Sequence, residues 1–324
     1  MARLADVARA AGVSTSTASR ALARPEMVAE PTRLRVLQAA DALRFRYNRA
    51  ARALTTGRTG LIGLVVPTLA NPYYSPLVLG AQQAAEELDR HLLLAVSEHS
   101  AQREQRLLAR LSEQVDGLVM LAPVSSDGEL RAISATSPML LVDRKITGIP
   151  SVVVDTAAGV GALADHLLEH GHRRIAYIRG PAGTWADRQR CRVVSARVGD
   201  ELVLLGPLPP TFEAGLTVAD QIPGEVTAVI AYNSYLALGL LHALGTLGIR
   251  IPDDLSLASA DDLAPLGSTT PTVTALRLPI EPAGEVSVRR LCRRADGVEQ
   301  SLRSTVLRPT LIARRSTGPP GAPR

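Results

Sequence analysis

Between residues 3 and 45 apolar side chains recur every three to four positions, the period that gathers them on one face of a helix, in three separate runs. Leu4, Val7 and Ala8 predict a first helix from Leu4 to Ala10. Gly12-Val13-Ser14 then reads as a tight turn, because glycine accepts the backbone angles of a turn and serine caps the helix that follows. A second helix is predicted from Thr15 to Leu22, with Ala18 and Leu22 inward and a small polar face ending in one long cation, Arg20, outward. The third begins near Pro31, a residue suited to a first helical turn, and is expected to turn Leu34, Leu37, Ala40 and Leu43 inward. Asn48 to Leu54 is a further helical candidate, too short to be stable alone.

Beyond Gly60 the period changes. Short apolar runs at Leu61–Pro67, Leu92–Ser97, Gly117–Ala122, Met139–Val142, Ile175–Arg179, Leu202–Leu205, Ala228–Ala231 and Leu255–Ser259 alternate with amphipathic stretches. This alternation predicts parallel sheets covered by helices on both faces. Leu61-Ile-Gly-Leu-Val65 and Arg174-Ile-Ala-Tyr-Ile178 each open such a series, which points to two similar lobes. The Pro- and Gly-rich tail from Ser316 is expected to be disordered.

Composition narrows the class. The 324 residues exceed the usual single domain, and 46% hydrophobic content suffices for more than one core. No apolar run approaches the roughly 20 residues of a membrane span, and the start lacks an export signal, so the chain reads as soluble and cytoplasmic. Cys191 and Cys292 are too few for a disulfide framework or a thiolate metal site. Residues 1–58 hold 11 arginines against 4 acids, a net of +7, and the remainder holds 25 cations against 27 acids, a net of −2. A basic head on a slightly acidic body is the pattern that phosphate binding requires, and it favours nucleic acid over membrane as the partner.

The run Leu4-Ala-Asp-Val-Ala-Arg-Ala-Ala-Gly-Val-Ser-Thr-Ser-Thr-Ala-Ser-Arg-Ala-Leu22 is similar to the N-terminal signature of the LacI/GalR repressors. The resemblance continues through Val36-Leu-Gln-Ala-Ala40 and spans essentially the whole chain. It implies a helix-turn-helix domain over residues 1–47 that contacts double-stranded operator DNA through Thr15, Ser16, Thr17, Ser19 and Arg20. Arg20 is the strongest candidate for base selection, since a guanidinium donates two parallel bonds to guanine. Residues 48–59 resemble the family's hinge helix and linker. There Leu54 would wedge between base pairs in the minor groove, with Asn48 and Ala51 beside it and Arg52 on the backbone.

For residues 60–316 the resemblance implies a periplasmic-binding-protein-like α/β core of two doubly wound parallel-sheet lobes, crossed by the chain near 156–160 and 276–280. The tail would occupy 317–324. Asn71-Pro-Tyr-Tyr74 matches the loop after the first strand and offers Tyr73 and Tyr74 to a ring. Trp185-Ala-Asp-Arg-Gln-Arg190 resembles the segment that carries the family's effector-clamping arginine, here Arg190 with Arg188 as runner-up. Asn233 and Asp261 complete the implied effector contacts. The implied whole is a homodimeric or higher-order repressor whose operator affinity responds to a small effector, a sugar first and a nucleoside or purine as the alternative. No cofactor is implied. A solute-binding protein of a transport system is the competing class, because its core would be the same. His166-Leu-Leu-Glu-His170 fits an inverted zinc-protease spacing, yet reads better as a helix ending at Gly171. No P-loop and no nucleophile elbow is present, so an enzyme assignment has no anchor.

Overall fold

The computed structural model describes residues 2–23, 27–45, 58–71, 73–262 and 269–321. Two compact units result, one built from residues 1–61 with 113–116, the other from 62–112 with 117–324.

In the first unit three helices pack together: α1 (Leu4–Ala10), α2 (Thr15–Ala23) and α3 (Glu30–Ala42). Gly12 has φ +65° between α1 and α2, and the Ser14 hydroxyl accepts a hydrogen bond from the Thr17 amide at 3.1 Å, capping α2 as the turn sequence predicts. The core is made of small residues, Val7, Ala8, Ala11, Ala18 and Ala21, closed by Val36 and Ala40 of α3. The expected inner face of α3 is therefore corrected. Leu34, Leu37 and Leu43 are 47%, 42% and 38% exposed, and the stripe that packs is Val36 with Ala40, rotated by a fraction of a turn. Alanines on α1 and α2 leave a shallow surface that a small i, i+4 pair can approach and a leucine cannot. The hinge-helix residues Asn48, Ala51, Arg52 and Leu54 lie outside the described residues.

The second unit holds two six-stranded sheets. The first lobe carries β1 (Leu61–Val66), β2 (His91–Val96), β3 (Gly117–Leu121), β4 (Met139–Val142), β5 (Ser151–Val154) and β11 (Thr305–Leu307), in the spatial order β11-β5-β4-β3-β1-β2. The second carries β6 (Ile175–Ile178), β7 (Leu202–Leu205), β8 (Ala228–Ala231), β9 (Ser256–Ser259), β10 (Thr274–Arg277) and β12 (Thr310–Ile312), in the order β12-β10-β9-β8-β6-β7. In this lobe β6 to β10 pair in parallel and β12 runs antiparallel to β10. Strands such as Met139–Val142 and Ala228–Ala231 are buried at every position, which is why they read as unbroken apolar runs rather than alternating ones.

Helices α4 (Ser75–Glu87), α5 (Ala101–Leu111), α6 (Asp127–Ser134) and α11 (Ile280–Ala295) belong to the first lobe. α7 (Thr156–Glu169), α8 (Trp185–Val198), α9 (Phe212–Val218) and α10 (Ser234–Thr246) belong to the second. The chain passes between lobes three times: from β5 into α7, from β10 into α11, and from β11 into β12. The third passage, at Arg308-Pro309, is absent from the expectation drawn from the sequence.

The expected disordered tail is also corrected as far as residue 321. Ser316 is fully buried, its hydroxyl accepting from the Thr274 amide at 2.8 Å, and its carbonyl accepts from the Leu257 amide at 2.8 Å. Gly318 donates to the Ser256 hydroxyl at 3.1 Å and its carbonyl meets His172 Nε2 at 2.9 Å. Proline and glycine here fit a strap that lies across the starts of β9 and β10.

Candidate functional site

On α2 the side chains of Thr15, Ser16 and Arg20 are exposed, and those of Thr17 and Ser19 are half-buried. Ser14 ties Ser16 and Thr17 to the cap, with hydroxyl contacts of 2.9 and 2.8 Å. The first turn is thereby rigid and Arg20 is the long cation on the outer face. This is the geometry of a helix able to present a short polar N-terminal turn and one guanidinium to base edges.

In the second unit the strands that end between the two sheets contribute to one cleft, as expected for doubly wound sheets, whose ligand crevices lie beyond the carboxyl ends of the strands. Its volume is about 290 Å³. The walls come from the segments after β1, β3, β4 and β5 on one side, and after β6, β8 and β9 on the other. Tyr73, Tyr74, Trp185, Arg188, Arg190, Asn233 and Asp261, all singled out from the sequence, line it together.

Their geometries differ. The Tyr73 hydroxyl donates to Asp143 Oδ2 at 2.9 Å, and its ring stands edge-on to Tyr74 with centroids 5.2 Å apart. Asp143 also accepts from the Val154 amide at 3.0 Å, on the strand that crosses to the other lobe. Desolvation raises the Asp143 pKa in spite of these bonds. Asp143 and Ala122, at the ends of β4 and β3, have φ of 55° and 44°, the left-handed region that costs L-residues energy and is held only by rigid surroundings.

Those surroundings are visible. Buried Glu104 on α5 accepts from the amides of Val124 and Ser125 at 3.0 and 2.8 Å, and Arg144 donates to the carbonyls of Pro123 and Ser125 at 2.7 and 2.6 Å. The loop after β3 is thus clamped from two sides.

On the facing wall Arg190 is 6% exposed. Its Nε donates to Thr156 Oγ1 at 3.0 Å and its Nη1 to the Tyr232 carbonyl at 2.8 Å, with the guanidinium 4.4 Å from the centre of the Tyr232 ring. Asp261, following β9, is pushed up to about 6 by burial, against hydrogen bonds from Ser234 and the charge of Arg190. Asn233 uses its side chain to cap α10, accepting from the Leu236 amide at 3.0 Å and donating to the Pro210 carbonyl at 3.2 Å. It positions the wall rather than offering free polar atoms. Arg188 stands exposed at the mouth, bonded to the Gly183 carbonyl at 2.6 Å.

Sequence reasoning missed Asp143, Tyr232 and Thr156. A usable signal existed for the first two: each is the first residue after a four-residue apolar strand. The histidines of the zinc-like spacing take other work, with the rings of His166 and His170 4.3 Å apart and His166 Nε2 meeting Thr317 Oγ1 at 2.9 Å. Among the described residues no group of three His, Cys, Asp or Glu is arranged to hold a metal, and no helix is long and apolar enough to cross a membrane.

Comparison with known proteins agrees with both halves. Residues 3–48 match the family model for bacterial regulatory proteins of the lacI family, and residues 164–317 match that for a periplasmic binding protein-like domain. The HTH-type transcriptional regulator PtxS of Pseudomonas aeruginosa is 32% identical over 97% of this chain and 95% of its own length. Among solved structures, the Lac repressor dimer bound to operator and the anti-inducer ONPF aligns over 98% of this chain and 99% of that one, with a TM-score of 0.86 and 25% identity. A complex of the transcriptional regulator CelR with cellobiose aligns over 98% of this chain and all of that one, with a TM-score of 0.71 and 28% identity. The helix-turn-helix match removes the transport-protein alternative, and the chain belongs to the lacI family of bacterial regulatory proteins, transcriptional repressors that join a DNA-reading head to an effector-binding core.

Proposed function

We propose that this regulator acts in the cytoplasm as a homodimeric repressor, not as an enzyme, and that the effector of its cleft is an uncharged sugar. One observation carries the effector class: Asp143 on one lobe and Asp261 on the other face the same cavity, with Arg190 beside Asp261. A sugar hydroxyl donates one hydrogen bond and accepts others, so neighbouring hydroxyls satisfy two carboxylates and a guanidinium at once. An anionic ligand would meet two like charges in a desolvated site, a costly arrangement. Tyr73, Tyr74 and Trp185 supply apolar faces for the ring, and Arg188 guards the mouth. The cellobiose held by CelR supports the same class.

On the DNA side, Thr15, Ser16, Thr17, Ser19 and Arg20 read the major groove, and the hinge residues Asn48, Ala51, Arg52 and Leu54 engage the minor groove at the operator centre. Ligand bound across the lobes favours one lobe arrangement and changes operator affinity by the same coupling factor.

The test is to select an operator from a randomised duplex pool with the full-length protein and titrate the complex with cellobiose, ribose, galactose and adenosine. A neutral sugar is expected to shift the operator Kd by about tenfold, within the usual range of allosteric coupling. A response to adenosine alone, or to none of the four, would overturn the sugar assignment.

A further inference from the structure

Arg190 is held in one pose largely by a neighbour that belongs to no recognisable motif. We propose that Tyr232 is a positioning residue for Arg190, and that it also ties the effector grip to the crossing between lobes. The proposal rests on the reading of the cleft as an effector site.

Tyr232 holds Arg190 twice. Its ring lies under the guanidinium at 4.4 Å, and its carbonyl accepts Nη1 at 2.8 Å. The third restraint is Thr156 Oγ1, which accepts Nε at 3.0 Å. With a planar fork stacked on a ring and two of its nitrogens committed, the guanidinium cannot rotate away, and Nη2 is left without a hydrogen bond among the described residues. That is the edge a ligand hydroxyl would meet. Preorganisation of this kind lowers the ordering cost of binding.

The ring is itself confined. A Cβ on Gly180 would lie 2.4 Å from two of the Tyr232 ring atoms, so only glycine leaves room for the ring there. Gly180 and Tyr232 follow β6 and β8, neighbouring strands in register at Ile178 and Ala231. Thr156 is the first residue of α7, directly after the passage out of β5, where the Asp155 amide donates to the Leu307 carbonyl of β11 at 2.8 Å. A displacement of Arg190 by ligand is therefore felt at the hinge through one hydrogen bond.

The test uses the full-length protein carrying ¹⁵N-arginine, with the Arg190 Nε–H resonance identified by its loss in Arg190→Gln. In the wild type and in Tyr232→Phe that proton is expected to be protected from solvent exchange. In Tyr232→Leu, which removes the ring and keeps the backbone carbonyl, its exchange should quicken about tenfold, the order of one desolvated cation–π contact. Gly180→Ala, which drives a methyl into the ring and displaces it, should do the same and serves if the leucine variant folds poorly. An equally protected Nε–H in both would overturn the proposal.

With cellobiose, ribose and adenosine as probes, Tyr232→Leu and Arg190→Gln should each weaken whichever probe the wild type binds by about tenfold. The double variant should be no weaker than either single one, and Tyr232→Phe should bind within about twofold of wild type. Additive losses would overturn the proposal. If no probe binds, the effector reading fails on its own, and the exchange measurement still decides the role of Tyr232.

Discussion

At the end of β9 the Asp261 carboxyl is shielded from bulk water, and its pKa rises from 3.8 to about 6. The folded protein therefore holds this proton more tightly than the unfolded chain does. Its contribution to stability is present below about pH 4 and is lost as pH climbs through about 6, on the order of 3 kcal/mol in all. Asp261→Asn is expected to flatten that segment of a Tm-against-pH curve and to raise Tm at pH 8; an unchanged curve would show that burial is not what raises the group. Binding has the opposite sign. A neutral sugar donates hydroxyls to the ionised carboxylate, so its affinity should strengthen as pH rises through about 6, and titration calorimetry at pH 5 and pH 7.5 reads this directly. Arg20 is the corresponding residue for DNA: Arg20→Ala should relax preference at one base position by about 1–3 kcal/mol, seen as selected operators that no longer agree there.

At the scale of elements, the strap over residues 316–321 shows most clearly what periodicity leaves out. Its bonds go to His172, Ser256 and Thr274, all distant in sequence, and proline and glycine carry no signal of such partners. His172 is buried, with Nδ1 on Thr227 Oγ1 at 2.9 Å, and desolvation lowers its pKa. A depressed histidine contributes stability above its unfolded pKa of 6.5 and loses it as pH falls. Backbone amides of 316–318 should accordingly exchange faster at pH 5 than at pH 7.5, once the intrinsic pH dependence of exchange is divided out, and His172→Ala should remove the difference.

The other elements divide in the same way. α1 and α2 were legible because cap, turn and helical period coincide at Ser14 and Gly12. The strands β4, β7 and β8 match their apolar runs residue for residue. β11 and β12, three residues each, were not legible, since Arg308-Pro309 splits them and their partners lie far earlier in the chain. On α3 the leucines outweighed Val36 in the pattern, and only the shallow alanine surfaces of α1 and α2 decide between them. For the cleft, residues near recognisable motifs were found, whereas Asp143, Tyr232 and Thr156 acquire meaning only from the strand order.

For the molecule as a whole, phosphate neutralisation by the basic head predicts operator binding that weakens steeply with salt. Arg52→Ala should reduce affinity for every duplex alike and lower the slope of log K against log[salt] by about one, while leaving base preference untouched; altered preference would move Arg52 from backbone to base contact.

The two lobes also share an unusual dependence on late parts of the chain. The first lobe lacks its β11 edge and the α11 cover until residue 307 is in place, and the second lacks β12 and the strap until residue 318. The head, by contrast, has all three of its helices once residue 42 has left the ribosome. During synthesis a folded DNA-reading head thus precedes a sensor that cannot close, with apolar strand edges open on both sheets until residues 305–312 emerge. A ribosome stalled before residue 305 would display a finished head tethered to two unfinished, protease-sensitive sheets, and emergence of residues 305–318 would seal both almost together.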